Sequence, residues 1–174
     1  MIKPDLFKTV MRRHAASVVL LSVDIGERVH FMTATSFTPV SLDPALALFC
    51  IDKKSDTHDH VRVGGTVGIS LLSHHQEPLS RRFASKGVDR YSIEDLDIVA
   101  GPQGAALLSG ACASMEMKVS ETYLAGDHSI FVGHVTWAAA EADALPLVYH
   151  SGRYVSLSGL APEQARCPAA VSSG

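Results

Sequence analysis

The chain has 174 residues, 47% of them hydrophobic, and a formal net charge of -3, so it is one domain's worth of sequence able to bury a core rather than a disordered segment. Its slight acidity supplies no basic field for nucleic acid, and Cys50, Cys112 and Cys167 form no Cys-x-x-Cys pair, so a reducing compartment fits and a disulfide framework does not. The opening residues carry no signal-type apolar run, and no stretch approaches the ~18 apolar residues of a membrane span; the expectation is a cytoplasmic protein without membrane contact.

Residues 5–16 read as a first helix. Leu6, Phe7, Val10 and Met11 recur at helical spacing, Pro4 sits where a helix start tolerates it, and Arg12, Arg13 and His14 complement the dipole at its end. Residues 17–23 and 29–35 form a hairpin across Asp24-Ile25-Gly26-Glu27. After the turn Ser41-Leu42-Asp43-Pro44, residues 45–51 make a third strand whose nearly continuous apolar run predicts burial. Residues 56–63 are expected to be a short helix, capped by Ser55 or Asp56 and stopped at Gly64-Gly65. Residues 66–72 read as a strand. Residues 76–84 read as a helix, with Leu79 and Phe83 one turn apart, Ser73 as its cap and Pro78 in its first turn.

Residues 87–110 are irregular, with Tyr91, Ile93, Leu96, Ile98 and Val99 in short extended pieces. Residues 111–120 alternate as a half-exposed strand, Met115, Met117 and Val119 on one face and Ser114, Glu116 and Lys118 on the other. Residues 129–139 form another strand, in which Gly133 marks a bulge or a close backbone approach. Residues 147–157 supply one or two last strands. The architecture is mainly β: a closed or nearly closed antiparallel barrel with two or three peripheral helices, one domain over residues 1–160 and a loose tail over 161–174.

The common nucleotide motifs are missing. There is no Gly-x-Gly-x-x-Gly, no Walker-type Gly-Lys-Ser/Thr and no Gly-x-Ser-x-Gly, and Gly64-Gly65-Thr66-Val67-Gly68 leads into a strand instead of a helix. What remains is dispersed. Thr33-Ala34-Thr35-Ser36 is an ordinary strand end, or a set of small side chains beside amides that a planar ring can approach. Asp52-Lys53-Lys54-Ser55-Asp56-Thr57 is a solvated loop with a helix cap, or an anion site. Arg82, Phe83 and Ala84 are a basic helix end, or forked donors beside an aromatic wall. Asp127-His128 and His150-Ser151-Gly152-Arg153 are turns, placed where a barrel rim presents functional groups. His58, His60, His74 and His75 lack the i, i+3 or i+4 spacing of helical metal ligands, so no metal is expected. Cys50, in an apolar run, reads as inert packing.

Five ordered segments carry a resemblance: Met32 to Thr38 with Val40 to Pro44; Cys50-Ile51-Asp52-Lys53-Lys54-Ser55 with Thr57 and His58; Leu79 to Ala84; Gly126 to Gly133; and Pro146 to Tyr154. In this order they resemble the flavin reductase-like family, short-chain NAD(P)H:flavin oxidoreductases with an FMN-binding split barrel. The resemblance implies a homodimer that passes hydride from NADH or NADPH to FMN or FAD with no catalytic side chain, and often supplies reduced flavin to a separate monooxygenase. It implies that Thr33, Ala34, Thr35, Ser36, Cys50, Ile51, Asp52, Lys53, Lys54, Ser55, Thr57, Arg82, Phe83 and Ala84 hold the flavin. It implies that His128, His150, Ser151, Gly152 and Arg153 meet the nicotinamide, with His128 and Arg153 orienting it. A flavoprotein of the same fold that reduces a corrinoid or a metal, or a non-catalytic flavin-binding module, are the alternatives. One departure is Phe31, where the family usually has glycine.

Overall fold

The structure is a computed structural model that describes residues 2–85, 87–91, 94–155 and 157. Ile93 and the 161–174 tail lie outside the described residues. Helix α1 (Pro4–Met11) begins with proline in its first turn and leaves the helical path sooner than expected. The Arg12 carbonyl turns to accept the Ser151 N–H at 2.9 Å, and the chain enters β1 (Ala16–Ser17). The barrel strands follow: β2 (Val19–Asp24), β3 (Val29–Ala34), β4 (Thr38–Leu42), β5 (Ala45–Asp52) and β6 (Thr66–Leu71). Helix α2 (Glu77–Ala84) follows a 3-10 turn, His74–Gln76, where the Gln76 side chain accepts the Ser73 N–H at 3.0 Å. Then come β7 (Ile98–Ala100), β8 (Ala106–Leu108), the long pair β9 (Ala113–Ala125) and β10 (His128–Ala140), and the hairpin β11 (Val148–His150) with β12 (Arg153–Val155).

Seven strands form one antiparallel sheet in the order β3-β2-β6-β9-β10-β5-β4. Its two edges, β3 and β4, are consecutive in sequence and joined only by Thr35, Ser36 and Phe37. Four Cα steps reach at most ~14 Å, so the sheet must curl until its edges nearly meet. Ser36 fills the seam: its hydroxyl accepts the Cys50 N–H at 3.0 Å and donates to the Cys50 carbonyl at 2.8 Å. It stands in for a neighbouring strand at the point where β4 has left β5. This is the expected mainly-β split barrel, with two α-helices outside it. Strand β4 was hidden in the sequence behind Pro39. An outermost strand tolerates a missing N–H, and β4 is irregular between Pro39 and Ser41.

Two apolar clusters hold this together. Val19, Leu21, Phe49, Ile69, Met117 and Phe131 fill the barrel, with the Phe49 and Phe131 rings stacked at 5.5 Å. Val18, Leu20, Phe31, Leu72, Phe83 and Leu108 form an outer layer beneath α2. Alternate residues of β2 face opposite sides and both sides are covered, which accounts for its unbroken apolar run. Phe31 belongs to the outer layer, its ring 5.6 Å from that of Phe83. Phe31 therefore anchors α2.

Two sequence expectations change. Residues 56–63 make a single 3-10 turn, Asp56–Asp59, instead of an α-helix. Asp56, Asp59 and the β-branched Thr57, Val61 and Val63 favour helix weakly, and Thr57 is drawn into the interior by a 2.8 Å bond to His30 Nε2. The second correction concerns the polar face of β9, which is not half-exposed at Glu116. That side chain is fully buried under the loop before β8, accepting the Gln103 N–H on both oxygens (3.0 and 2.9 Å) and the Ala105 N–H at 2.9 Å. Gly101 makes room for the carboxylate, because a Cβ there would collide with it. Gly133 does mark a bulge and a close approach: the β9–β10 register shifts beside it, and a Cβ would lie 2.5 Å from the Lys118 carbonyl.

Candidate functional site

The seam of the barrel is also its main groove. Where β3 ends and β5 exits, a cleft of about 310 Å³ is lined by Thr33, Ala34, Thr35, Ser36, Cys50, Ile51, Asp52, Ser55, Phe83, Ala84 and His128, together with Met32 and Arg90. Eleven of the nineteen expected cofactor residues thus converge from four separate stretches of sequence. Two further clefts adjoin it. One of about 250 Å³ shares Thr33, Ala34, Thr35 and Ala84 and continues to Tyr149 and Tyr154. Another, of about 850 Å³, shares Thr35 and Ser36 and runs under α1 to Ser151 and Gly152. The three form one groove along the connector that joins the barrel edges.

The hydroxyls in the central cleft differ in how occupied they are. Ser36 is committed to Cys50. Thr33 makes only a long 3.4 Å contact to the Ser80 carbonyl, and Ser55 only a 3.7 Å contact to Met32 Sδ. Both are free to serve a ligand. Burial raises the Cys50 thiol above its ordinary pKa, so Cys50 faces the cleft as a neutral thiol.

Arg90 was not foreseen. Its guanidinium donates to the carbonyls of Phe83 (2.6 Å), Ser85 (3.2 Å) and Phe31 (3.4 Å), and its own carbonyl accepts the Phe31 N–H at 3.0 Å. Among the described residues no carboxylate pairs with it, so its positive charge stays available at the cleft wall. Nothing in the irregular 87–110 stretch singled it out. Its role depends on folding back onto β3 and the end of α2.

Other expected residues lie apart from the cleft. Arg82 Nη1 donates to both Asp95 oxygens (2.8 and 2.7 Å), and the guanidinium lies over the Phe83 ring at 4.9 Å. That hydrogen bond holds the Asp95 carboxyl below its ordinary pKa. Thr57 is buried to 1% exposure with its hydroxyl on His30. Lys53 reaches the β9–β10 turn, donating to the Gly126 carbonyl at 2.7 Å, and the Lys54 N–H bonds the Asp52 carboxylate at 2.9 Å. The two lysines flank the cleft at the β5 exit without lining it. His128 lines the cleft and pairs with Asp127 at 2.8 Å. Ser151 and Gly152 form the β11–β12 turn in left-handed backbone (φ 52° and 79°) and line the α1 cleft, whereas His150 and Arg153 line none of the three.

The family model described as the flavin reductase like domain matches residues 11–158. An NADH:FMN oxidoreductase of Rhodococcus erythropolis is 36% identical over 152 residues, 85% of this chain and 79% of that protein. The solved NADH:FAD oxidoreductase SgcE6 of Streptomyces globisporus C-1027, in complex with NAD and FAD fragments, superposes with a TM-score of 0.84 at 32% identity over 92% of this chain and 98% of its own. BorF, the flavin reductase component of a bacterial two-component tryptophan halogenase, superposes with a TM-score of 0.83 at 34% identity over 89% and 98%. The seam-and-groove geometry and these matches agree: the chain belongs to the flavin reductase-like family.

Proposed function

We propose that this protein is an NADH-dependent flavin reductase whose central cleft holds the isoalloxazine end of FMN or FAD. The carrying observation is the cleft where Thr33–Ser36, the β5 exit, α2 and Arg90 converge. Its donor set fits the group. Small Ala34 and Ala84 and the half-buried, apolar Met32 suit a flat ring, while Thr33, Ser55 and Arg90 supply weakly occupied hydroxyls and a positive charge for its polar edge. The redox chemistry, a hydride transfer from nicotinamide to flavin, belongs to the two cofactors, and the chain's part is to hold and align them.

In this reading Arg90 stabilises negative charge beside the ring. Lys53 and Lys54 meet a phosphate at the β5 exit. His128 and the Ser151-Gly152 turn orient the nicotinamide partner from either end of the groove. Residues 1–160 are the working domain. The protein acts as a homodimer, which the exposed apolar residues Leu6, Phe7 and Val10 on α1 and Leu42 and Leu124 at hairpin tips support. It supplies reduced flavin to a partner monooxygenase, a division of labour that BorF, the reductase component of a two-component halogenase, supports by analogy. The free thiols Cys50 and Cys112 fit a cytoplasmic setting.

The test is oxidation of NADH and NADPH with FMN, FAD and riboflavin. Turnover with NADH and at least one flavin is expected, and no turnover with any pair sinks the reading. Arg90→Ala is expected to weaken flavin affinity at least ~10-fold, the loss of one charge-assisted contact.

A further inference from the structure

Arg90 belongs to the short segment 87–91, which lies in no strand or helix. Two anchors tie that segment to the body of the protein. One is Arg90 itself, whose carbonyl accepts the Phe31 N–H at 3.0 Å while its guanidinium donates to the Phe83 carbonyl at 2.6 Å. The other is the half-buried Tyr91. Its ring stands edge-on to the His30 ring at 5.0 Å, its hydroxyl lies 3.4 Å from His60 Nε2, and the Arg28 guanidinium lies over it at 6.0 Å. The Tyr91 N–H donates to the Asp89 carboxylate at 2.9 Å, a local turn. Beyond that turn two consecutive side chains part, Arg90 to the cleft and Tyr91 to the imidazoles.

His30 closes this arrangement from behind. It is 1% exposed and joins two walls of the central cleft. Its Nε2 bonds the Thr57 hydroxyl at 2.8 Å, two residues beyond Ser55 of the cleft lining, and its ring packs on Tyr91, next to Arg90. Its Nδ1 has no partner among the described residues. The neutral ring carries its proton on Nε2, for Thr57, and leaves only a bare lone pair at Nδ1. A second proton would bury an unpaired N–H and a full charge there. The titratable and charged groups that face it are His60 and Asp56 from the 3-10 turn and Arg90 and Tyr91 from the segment, while its neighbour on β2 is Val23. His60 and Arg90 oppose the added charge, and Asp56 favours it.

Resting on the flavin-reductase reading, we infer that Tyr91 and neutral His30 are positioning residues for Arg90: they dock the 87–91 segment on β3 and the 3-10 turn and so hold the guanidinium at the wall of the flavin cleft. Neither lines the cleft itself. Burial first, then His60 and Arg90, hold the docked His30 at about 4, below its ordinary 6.5. Because the docked value is the lower one, docking is at full strength above about pH 6.5 and weakens as pH falls toward about 4. Between about pH 7 and 5 the docking constant drops ~20-fold.

Two measurements test this, one with flavin and one without. Affinity for riboflavin, which has no phosphate to titrate, is measured at neutral pH for the wild type, Arg90→Ala, Tyr91→Ala and the double variant. Each single alanine is expected to weaken binding at least ~10-fold, and the double variant no further than Arg90→Ala alone. Tyr91→Phe, which keeps the ring on His30, stays near wild type. Losses that multiply, or wild-type affinity in Tyr91→Ala, overturn the inference. Without ligand, hydrogen exchange at the Phe31 amide, corrected for its intrinsic rate, reads the docking directly. Its protection is expected to lie below that of β9 amides, the mark of a local opening, and to fall ~20-fold from about pH 7 to 5 in the wild type but not in His30→Phe. Protection equal to that of β9, or the same loss in His30→Phe, overturns the inference as well. No riboflavin binding by the wild type would remove the flavin reading, and the docking would then stand or fall on the exchange result alone.

Discussion

Replacing Glu116 tests how the barrel supports its groove. Its carboxylate has no exposure and accepts two backbone N–H groups, Gln103's shared between both oxygens and Ala105's on one. Glu116→Ala leaves both donors without a partner under a loop that excludes water. At about 1–3 kcal/mol for each orphaned donor, partly offset by no longer burying a charge, the expected loss is about 3–4 kcal/mol. Glu116→Gln keeps one oxygen for both donors but removes the charge and sets an amide N–H₂ against Gln103, for a loss of about 2 kcal/mol. Urea unfolding at one fixed protein concentration measures both; with a slope near ~2 kcal/mol/M, the alanine midpoint falls by about 1.5–2 M. Hydrogen exchange should locate the damage at the Gln103 and Ala105 amides. The consequence reaches the site, because the loop runs into β8, whose Leu108 packs in the layer that seats α2. An alanine variant within about 0.5 kcal/mol of wild type, or a glutamine variant less stable than the alanine one, would refute the account of Glu116 as the clamp on this loop.

Two further outcomes are expected. Gly133→Ala forces a Cβ to within 2.5 Å of the Lys118 carbonyl and 2.8 Å of Met117 Cγ. The bulge must open, costing about 3 kcal/mol, and the Tm should fall by roughly 6–12 °C; an unchanged melting curve would rule out the close approach. His30 is buried, and its imidazole is held at about 4, below the usual 6.5, by burial first and then by the charges of His60 and Arg90. Because the folded value is depressed, its contribution is complete above about pH 6.5 and is lost as pH falls toward about 4. Linkage gives about 2 kcal/mol lost by pH 5. His30→Phe should flatten stability against pH across this window, and a slope equal to wild type would show that another group titrates there.

The sequence by itself determined the elements whose signal is local. Alternation located the strand around Met115 to Val119, and the apolar run of β2 declared burial because both its faces are covered, whereas β5 is buried on one face and half-buried on the other. The hydroxyl residues at 33–36 and the turns at 127–128 and 151–152 are each explained as well or better by ordinary strand ends and turns, and only their order, through the resemblance to a known family, pointed to a site. What the sequence withheld depends on partners distant in the chain. Thr57 and Arg82 looked like ligand residues until His30 and Asp95 arrived to occupy them. Arg90 looked like loop until the chain folded its guanidinium onto the Phe31 and Phe83 carbonyls. Glu116 looked solvent-facing until the 101–105 loop covered it. Periodicity reports which face of an element is apolar, but whether a polar group is satisfied, free or aimed at a ligand depends on contacts from residues far away in sequence, and only the tertiary structure sets those.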